Sequence, residues 1–129
     1  LSVMPILEDI YEKKLPEDKV LLDNAHAHLA HGLLMGRKVD KDIEVNGIHC
    51  DRKSGCDASG GSLGHAIGIS IGFARSKPSR AVHCVVSDGS MMEGSNWEAL
   101  RIIDDLKLDQ INIYCNFNGY TAVSSPDIS

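Results

Sequence analysis

Two apolar runs, AVHCVVS at residues 81–87 and INIYC at 111–115, stand on either side of a segment with helical periodicity. Strand, helix and strand within about 35 residues make one βαβ crossover, whose strands must be parallel and whose connection is right-handed. A parallel sheet has to be covered on both faces, and an unbroken apolar run such as 81–87 suits a strand buried on both sides. The chain is thereby constrained to an α/β fold, a mostly parallel sheet flanked by helices. With 129 residues it can build one core, so residues 1–129 are expected to form a single domain.

The remaining segments extend that pattern. Val3, Ile6, Leu7, Ile10 and Tyr11 repeat at helical spacing, which predicts an amphipathic helix over about 2–14 that Pro16 prevents from continuing. Residues 19–22 read as a short strand and 25–35 as a second helix closed by Gly36. Residues 37–61 are polar and glycine-rich without a period, and so read as a long loop. A helix over 63–76 places Gly64, Gly68 and Gly72 on one stripe, each costing about 1 kcal/mol relative to Ala, so a close backbone approach is expected there. Ser95 to Glu98 fits an S-x-x-E capping box, after which Trp97, Leu100, Ile103 and Leu106 are expected to form the buried face of the crossover helix.

Charge and cysteine usage narrow the function classes. A formal charge of -5 argues against nucleic acid or an anionic membrane as the main partner, because phosphate backbones are bound by an excess of Lys and Arg. No apolar stretch reaches the roughly 18 residues that cross a bilayer, and no signal peptide is visible. Cys50, Cys56, Cys84 and Cys115 form no CxxC pair and read as reduced thiols, which suits a cytoplasmic protein. The sequence opens at Leu1 without Met and stops at Ser129 soon after the second run of the crossover, and so reads as a truncated fold, a fragment or a split subunit.

Open parallel sheets bind ligands at the carboxyl ends of their strands. One run ends in Ser87-Asp88-Gly89 and the next in Asn116-Phe117-Asn118, so Asp88 and Asn118 arrive at the same edge. Neighbouring strand tips lie about 5 Å apart, a gap that two ligands of one octahedral magnesium ion can span. Asp-Gly after a strand is, by itself, only a turn; the paired Asn118 is what points to a cation and a phosphate bridged by it. His26, His28 and His31 lie at i, i+2 and i+5, which does not put three ligands on one helix face, so zinc is not expected and His28 and His31 read as solvent-facing or packing residues. His49 without further context is a loop residue, and Met91 and Met92 read as packing.

The text SDGSMMEGSNWEALRIIDDLKLDQINIYCNFNGY resembles the thiamine-diphosphate fingerprint of the transketolase family, a Gly-Asp-Gly followed about thirty positions later by an Asn. DKVLLDNAHAHLAHGL is similar to that family's strand ending in Ser-Asn-Gly-His, GIHCDR to its Gly-His-Pro loop and GGSLGHAIGISIGFA to its Gly-Ser/Pro-Leu-Gly helix. The resemblance covers nearly the whole chain, in order, and looks closest to the diphosphate-binding (PP) half of transketolases that are split into two subunits. It implies thiamine diphosphate and magnesium as cofactors, with calcium or manganese able to stand in for the metal. Asp88, the Asn118 side chain and the Tyr120 carbonyl would be the metal ligands, with Gly89 and Asn118 at the diphosphate. Gly61, Leu63 and His65 would contact the cofactor, and His26, His49 and Glu93 would serve catalysis, Glu93 as a buried carboxylate joining paired sites.

The implied reaction is transfer of a two-carbon ketol unit between sugar phosphates. Alternatives are a subunit of a thiamine-diphosphate-dependent 2-oxo acid dehydrogenase or decarboxylase, or a non-catalytic binding module. Implied partners are a homo-oligomeric mate and a pyrimidine-binding subunit, without which no turnover is expected. The pattern is departed from at Ser87, which stands for the first Gly of the fingerprint, at Ala25 for the Gly before His26, and at Cys50 for the Pro after His49.

Overall fold

The computed structural model describes residues 2–23, 27–36, 52, 55–58, 60 and 62–119. In chain order the described elements are α1 (Met4–Lys13), β1 (Lys19–Leu22), α2 (His28–Leu34), α3 (Ala66–Ser76), β2 (Val82–Ser87), a 3-10 turn (Ser90–Met92), α4 (Gly94–Asp105) and β3 (Ile111–Asn116). The strands form one sheet in the order β1-β2-β3, and both pairings are parallel. Leu22 is level with Val85, and Ser87 with Asn116, so the three carboxyl ends finish along one edge.

Both faces of β1 and β2 are covered, as a parallel sheet requires, while β3 is half-buried to exposed along most of its length. Leu7 and Ile10 of α1 and Ala30 of α2 pack with Val20, Leu22 and Val85 on one side. Ala66, Ile67 and Ala74 of α3 and Ala99 of α4 pack with Leu21, Val82, Cys84 and Val86 on the other. All six residues of β2 are buried, which is why that segment reads as continuous apolar text. Tyr11 donates or accepts a 2.6 Å hydrogen bond with His31 Nε2, tying α1 to α2 and placing His31 among the packed residues. Burial pushes the Cys84 thiol up to about 12, so it behaves as a small neutral hydrophobe; Cys56 is also buried, whereas Cys115 is exposed on edge strand β3.

Several expectations are corrected. The buried face of α4 carries Asn96 and Ala99, with Leu100 and Ile103 half-buried, while Trp97 is 60% exposed and Leu106 43% exposed. Small residues let the helix approach its neighbours closely, and the amide of Asn96 is required inside; Trp97, one position round the helix, stays outside with its indole N–H on the Met91 carbonyl at 2.8 Å. The S-x-x-E capping box does not form. Helix α4 starts at Gly94 with Glu93 as N-cap and no side-chain cap, and the Ser95 hydroxyl donates instead to the Gly64 carbonyl at 2.8 Å. The close approach expected along the glycine stripe holds at one position: among the described residues Gly64 is tightly approached, whereas space is open beside Gly68 and Gly72. Helix α3 itself begins at Ala66, later than 63. Met91 packs against the core, but Met92 is 58% exposed.

The opposite, amino-terminal edge of the sheet carries an acid-sensitive tie. Burial raises the Asp18 carboxyl, but the N–H groups of Leu15 at 2.9 Å and Ala81 at 3.2 Å and the His83 imidazole at 3.6 Å more than offset this and hold it below its ordinary value of 3.8. A group whose folded pKa is depressed contributes stability above its unfolded pKa and loses it as pH falls through the folded one. The urea midpoint is therefore expected to fall below pH 3.8 in the native chain, and to fall less steeply there in Asp18→Asn, which starts from a lower midpoint near neutral pH. Parallel slopes in the two proteins across that acid window would refute this account.

Candidate functional site

The carboxyl edge of the sheet brings three segments together. At the tip of β2, Asp88 is only 2% exposed and Gly89 is buried beside it. Asp88 Oδ1 accepts the Gly89 N–H at 3.0 Å, and Oδ2 accepts the Gly119 N–H at 2.6 Å. The second bond joins the ends of β2 and β3 and puts the Asn118-Gly119 peptide against the Asp88 carboxylate, with Asn118 itself exposed. Because Ser87 and Asn116 are paired, Asp88 lies one step past the ladder and Asn118 two, which is the geometry that the parallel crossover dictates. The charge of Asp88 reaches Cys115, whose thiol is pushed up first by partial burial and then by that carboxylate.

Ser87, where the family fingerprint has Gly, takes part in the turn. Ser87 N–H donates to Ser90 Oγ at 3.1 Å, Ser90 N–H donates to Ser87 Oγ at 3.1 Å, and the two hydroxyls share a bond at 3.0 Å. This reciprocal staple closes the Asp88-Gly89 turn from beneath, so the serine supports the loop that presents the carboxylate.

A second acid stands at the tip of β1. Asp23 is 2% exposed, and its carboxylate accepts the N–H groups of Gly64 at 2.9 Å, His65 at 3.0 Å and Ala66 at 2.9 Å, the first turn of α3. A fourth donor, Asn96 Nδ2, lies 3.4 Å away and also donates to the Ser90 carbonyl at 2.8 Å. Asn96 is fully buried and thus bridges the β1 tip to the turn after Asp88. The sequence reading passed over Asp23 and Asn96. A signal existed for the first: Leu21-Leu22-Asp23 repeats the pattern of an apolar strand ended by Asp that singled out Asp88.

The other expected site residues fall around this frame. Leu63 is half-buried and His65 exposed at the start of α3, and the His65 side chain lines a small pocket with Ser62, Ala58, Ile69 and Asp23. Glu93 is exposed at the start of α4, so the burial expected of it would need a second subunit. It packs close to the 62–65 turn, since a Cβ on Gly64 would lie 2.8 Å from the Glu93 Cβ. His26, His49, Gly61 and Tyr120 lie outside the described residues.

The donor set suits a hard divalent ion shared with a phosphate. Among the described residues no group of three His, Cys, Asp or Glu forms an all-protein cage. Magnesium does not need one: it favours one or two carboxylates, neutral oxygens, water and the phosphates of its ligand, and the Asp88 carboxylate here has the Asn118-Gly119 peptide against it. No described helix is long and apolar enough to cross a membrane.

Comparison with known proteins matches most of the chain. A family model described as 1-deoxy-D-xylulose-5-phosphate synthase matches residues 6–125. A transketolase family protein of Sinorhizobium fredii is 43% identical over 110 residues, covering 73% of this chain and 39% of that protein. Transketolase-like protein 2 of Mus musculus is 33% identical over 121 residues, covering 78% and 19%. A 1-deoxy-D-xylulose-5-phosphate synthase of Rhodococcus jostii is 32% identical over 114 residues, covering 81% and 18%. The chain spans less than half the length of these relatives.

Proposed function

We infer the function from one premise: the chain belongs to the transketolase-like, thiamine-diphosphate-binding N-terminal domains of the 1-deoxy-D-xylulose-5-phosphate synthase and transketolase family. Our reading is that it is the cofactor-binding half of an enzyme that moves a two-carbon ketol unit between sugar phosphates. One observation carries this: the buried Asp88 carboxylate at the tip of β2, bonded to the Gly119 N–H beside Asn118.

In this reading Asp88, Asn118 and the Tyr120 carbonyl hold magnesium, and Gly89 meets the diphosphate. Bound thiamine diphosphate supplies the carbon nucleophile that amino-acid side chains lack. The chain's own residues bind, orient and exclude water. Leu63, Gly61 and His65 line the ring end, His26 and His49 handle the protons and hydroxyls of the sugar, and Glu93 joins two sites across a subunit interface. The complete site needs a pyrimidine-binding domain, from a partner subunit or from the remainder of a longer chain, and a homo-oligomeric arrangement in a cytoplasmic setting fits that need.

A second reading has a specific motive. 1-Deoxy-D-xylulose 5-phosphate carries a methyl ketone where a transketolase product carries a ketol, so an enzyme making it must transfer an acetyl-type unit, for which a 2-oxo acid is a chemically reasonable donor. The test is product analysis with the pyrimidine-binding partner present, supplying either a ketose phosphate or a 2-oxo acid together with an aldose phosphate. Ketol transfer from the ketose phosphate is expected, with no turnover by the 129-residue chain alone. Product from the 2-oxo acid alone replaces the first reading by the second. A chain that fails to bind thiamine diphosphate with magnesium is a non-catalytic module instead.

A further inference from the structure

The N-termini of α3 and α4, which meet at the carboxyl edge of the sheet through the Ser95–Gly64 hydrogen bond, are chemically different. The free N–H groups of a helix end are a ready anion site. At α3 those donors are already taken, because Gly64, His65 and Ala66 all donate to Asp23. Four N–H donors converge on that side chain, counting Asn96, and such a set is matched by the acceptor-only carboxylate. A full negative charge therefore closes this end, and an approaching phosphate meets repulsion. At α4 the N-cap Glu93 makes no side-chain cap, and the helix follows directly on the Asp88 turn.

The surroundings divide in the same way. The small pocket at the α3 end is walled by Leu21, Leu22, Ala58, Ala66 and Ile69, with Ser62, His65 and the Asp23 carboxylate as its polar members, a lining that repels an anion. The turn that forms its rim is held from both sides, by Asp23 through its N–H groups and by Ser95 through the Gly64 carbonyl. Asn96 locks this rim to the Asp88 turn.

We propose that Asp23 is a positioning residue that sets the polarity of the cofactor cleft. By filling the end of α3 with a carboxylate, it withdraws that helix from phosphate binding, leaves the diphosphate a single address at the Asp88 turn, and presents the 62–65 rim to the ring end. This role rests on the thiamine-diphosphate reading above.

The test separates the two ends of the ligand by measuring calorimetric affinities of the 129-residue chain, with magnesium present, for inorganic pyrophosphate and for thiamine diphosphate. In Asp23→Asn the amide cannot accept from every donor that the carboxylate served. Affinity for thiamine diphosphate is expected to fall at least about tenfold, while that for pyrophosphate stays within about twofold. Equal losses for both ligands would mean a purely structural role, and an unchanged affinity for thiamine diphosphate would mean none; either overturns the proposal.

Should Asp23→Asn not fold, the native protein gives the answer. On adding magnesium pyrophosphate the amide resonances of Gly64, His65 and Ala66 should stay in place; shifts as large as those at Gly89 overturn the proposal. Native protein that binds neither ligand overturns the thiamine-diphosphate reading itself and this role with it, an outcome distinct from selective failure in the variant.

Discussion

Asp88→Ala is expected to abolish magnesium-dependent binding of thiamine diphosphate, weakening it by at least about 100-fold, or roughly 3 kcal/mol. The carboxylate is the only acid among the residues assigned to the metal, so its loss removes the charge that balances the dication. It also leaves the Gly89 and Gly119 N–H groups without their acceptor in a buried turn, at about 1–3 kcal/mol each. That second effect costs stability as well as binding, so a near-isosteric variant is needed beside it. Asp88→Asn keeps the volume and one acceptor oxygen but removes the charge, and its affinity should fall almost as far while the protein remains folded. Titration calorimetry with and without magnesium reads both. If Asp88→Asn binds the cofactor as native protein does, the metal assignment is wrong.

Gly64→Ala should be the most damaging single methyl group at the site. Gly64 has φ of +90°, where an L side chain is strained, and its Cβ would stand 2.6 Å from Ser95 Oγ and 2.8 Å from Glu93 Cβ. The strain costs about 1–2 kcal/mol and the overpacking about 1–3 kcal/mol, for a total of about 2–5 kcal/mol. A drop in Tm of roughly 10 °C follows for a domain of this size. Because Glu93 and the Asp23-capped turn meet here, cofactor affinity should fall along with Tm. Gly68→Ala and Gly72→Ala, with open space beside them and ordinary helical geometry, should instead hold or raise the melting temperature. Thermal unfolding of the three variants provides the comparison, and a Gly64→Ala protein that melts within about 2 °C of native would contradict the close packing described.

That contrast among three glycines illustrates what was legible in the text. Their spacing of four is visible in sequence, and it marks one face of a helix, but only the neighbours decide whether a face is crowded. Gly64 meets α4, whereas Gly68 and Gly72 look outward. Trp97 gives the same lesson in the other direction: size and apolarity favour burial on average, yet the small Asn96 and Ala99 win the inner face because close approach and two hydrogen bonds are available there.

The strands, the parallel pairing and the meeting of Asp88 with the Asn118 segment at one edge were determined by sequence alone. Each follows from short-range regularities: residue periodicity within an element, and the rule that a βαβ crossover returns its second strand parallel to its first. Asp23 lies 41 residues from Gly64 and 73 from Asn96, and nothing in local periodicity specifies which donors a strand-end acid will meet at that separation. Only the tertiary structure decided that. A hydrogen bond demands donor and acceptor within about 3 Å, and for segments so far apart in sequence that distance is set by how the helices pack on the sheet.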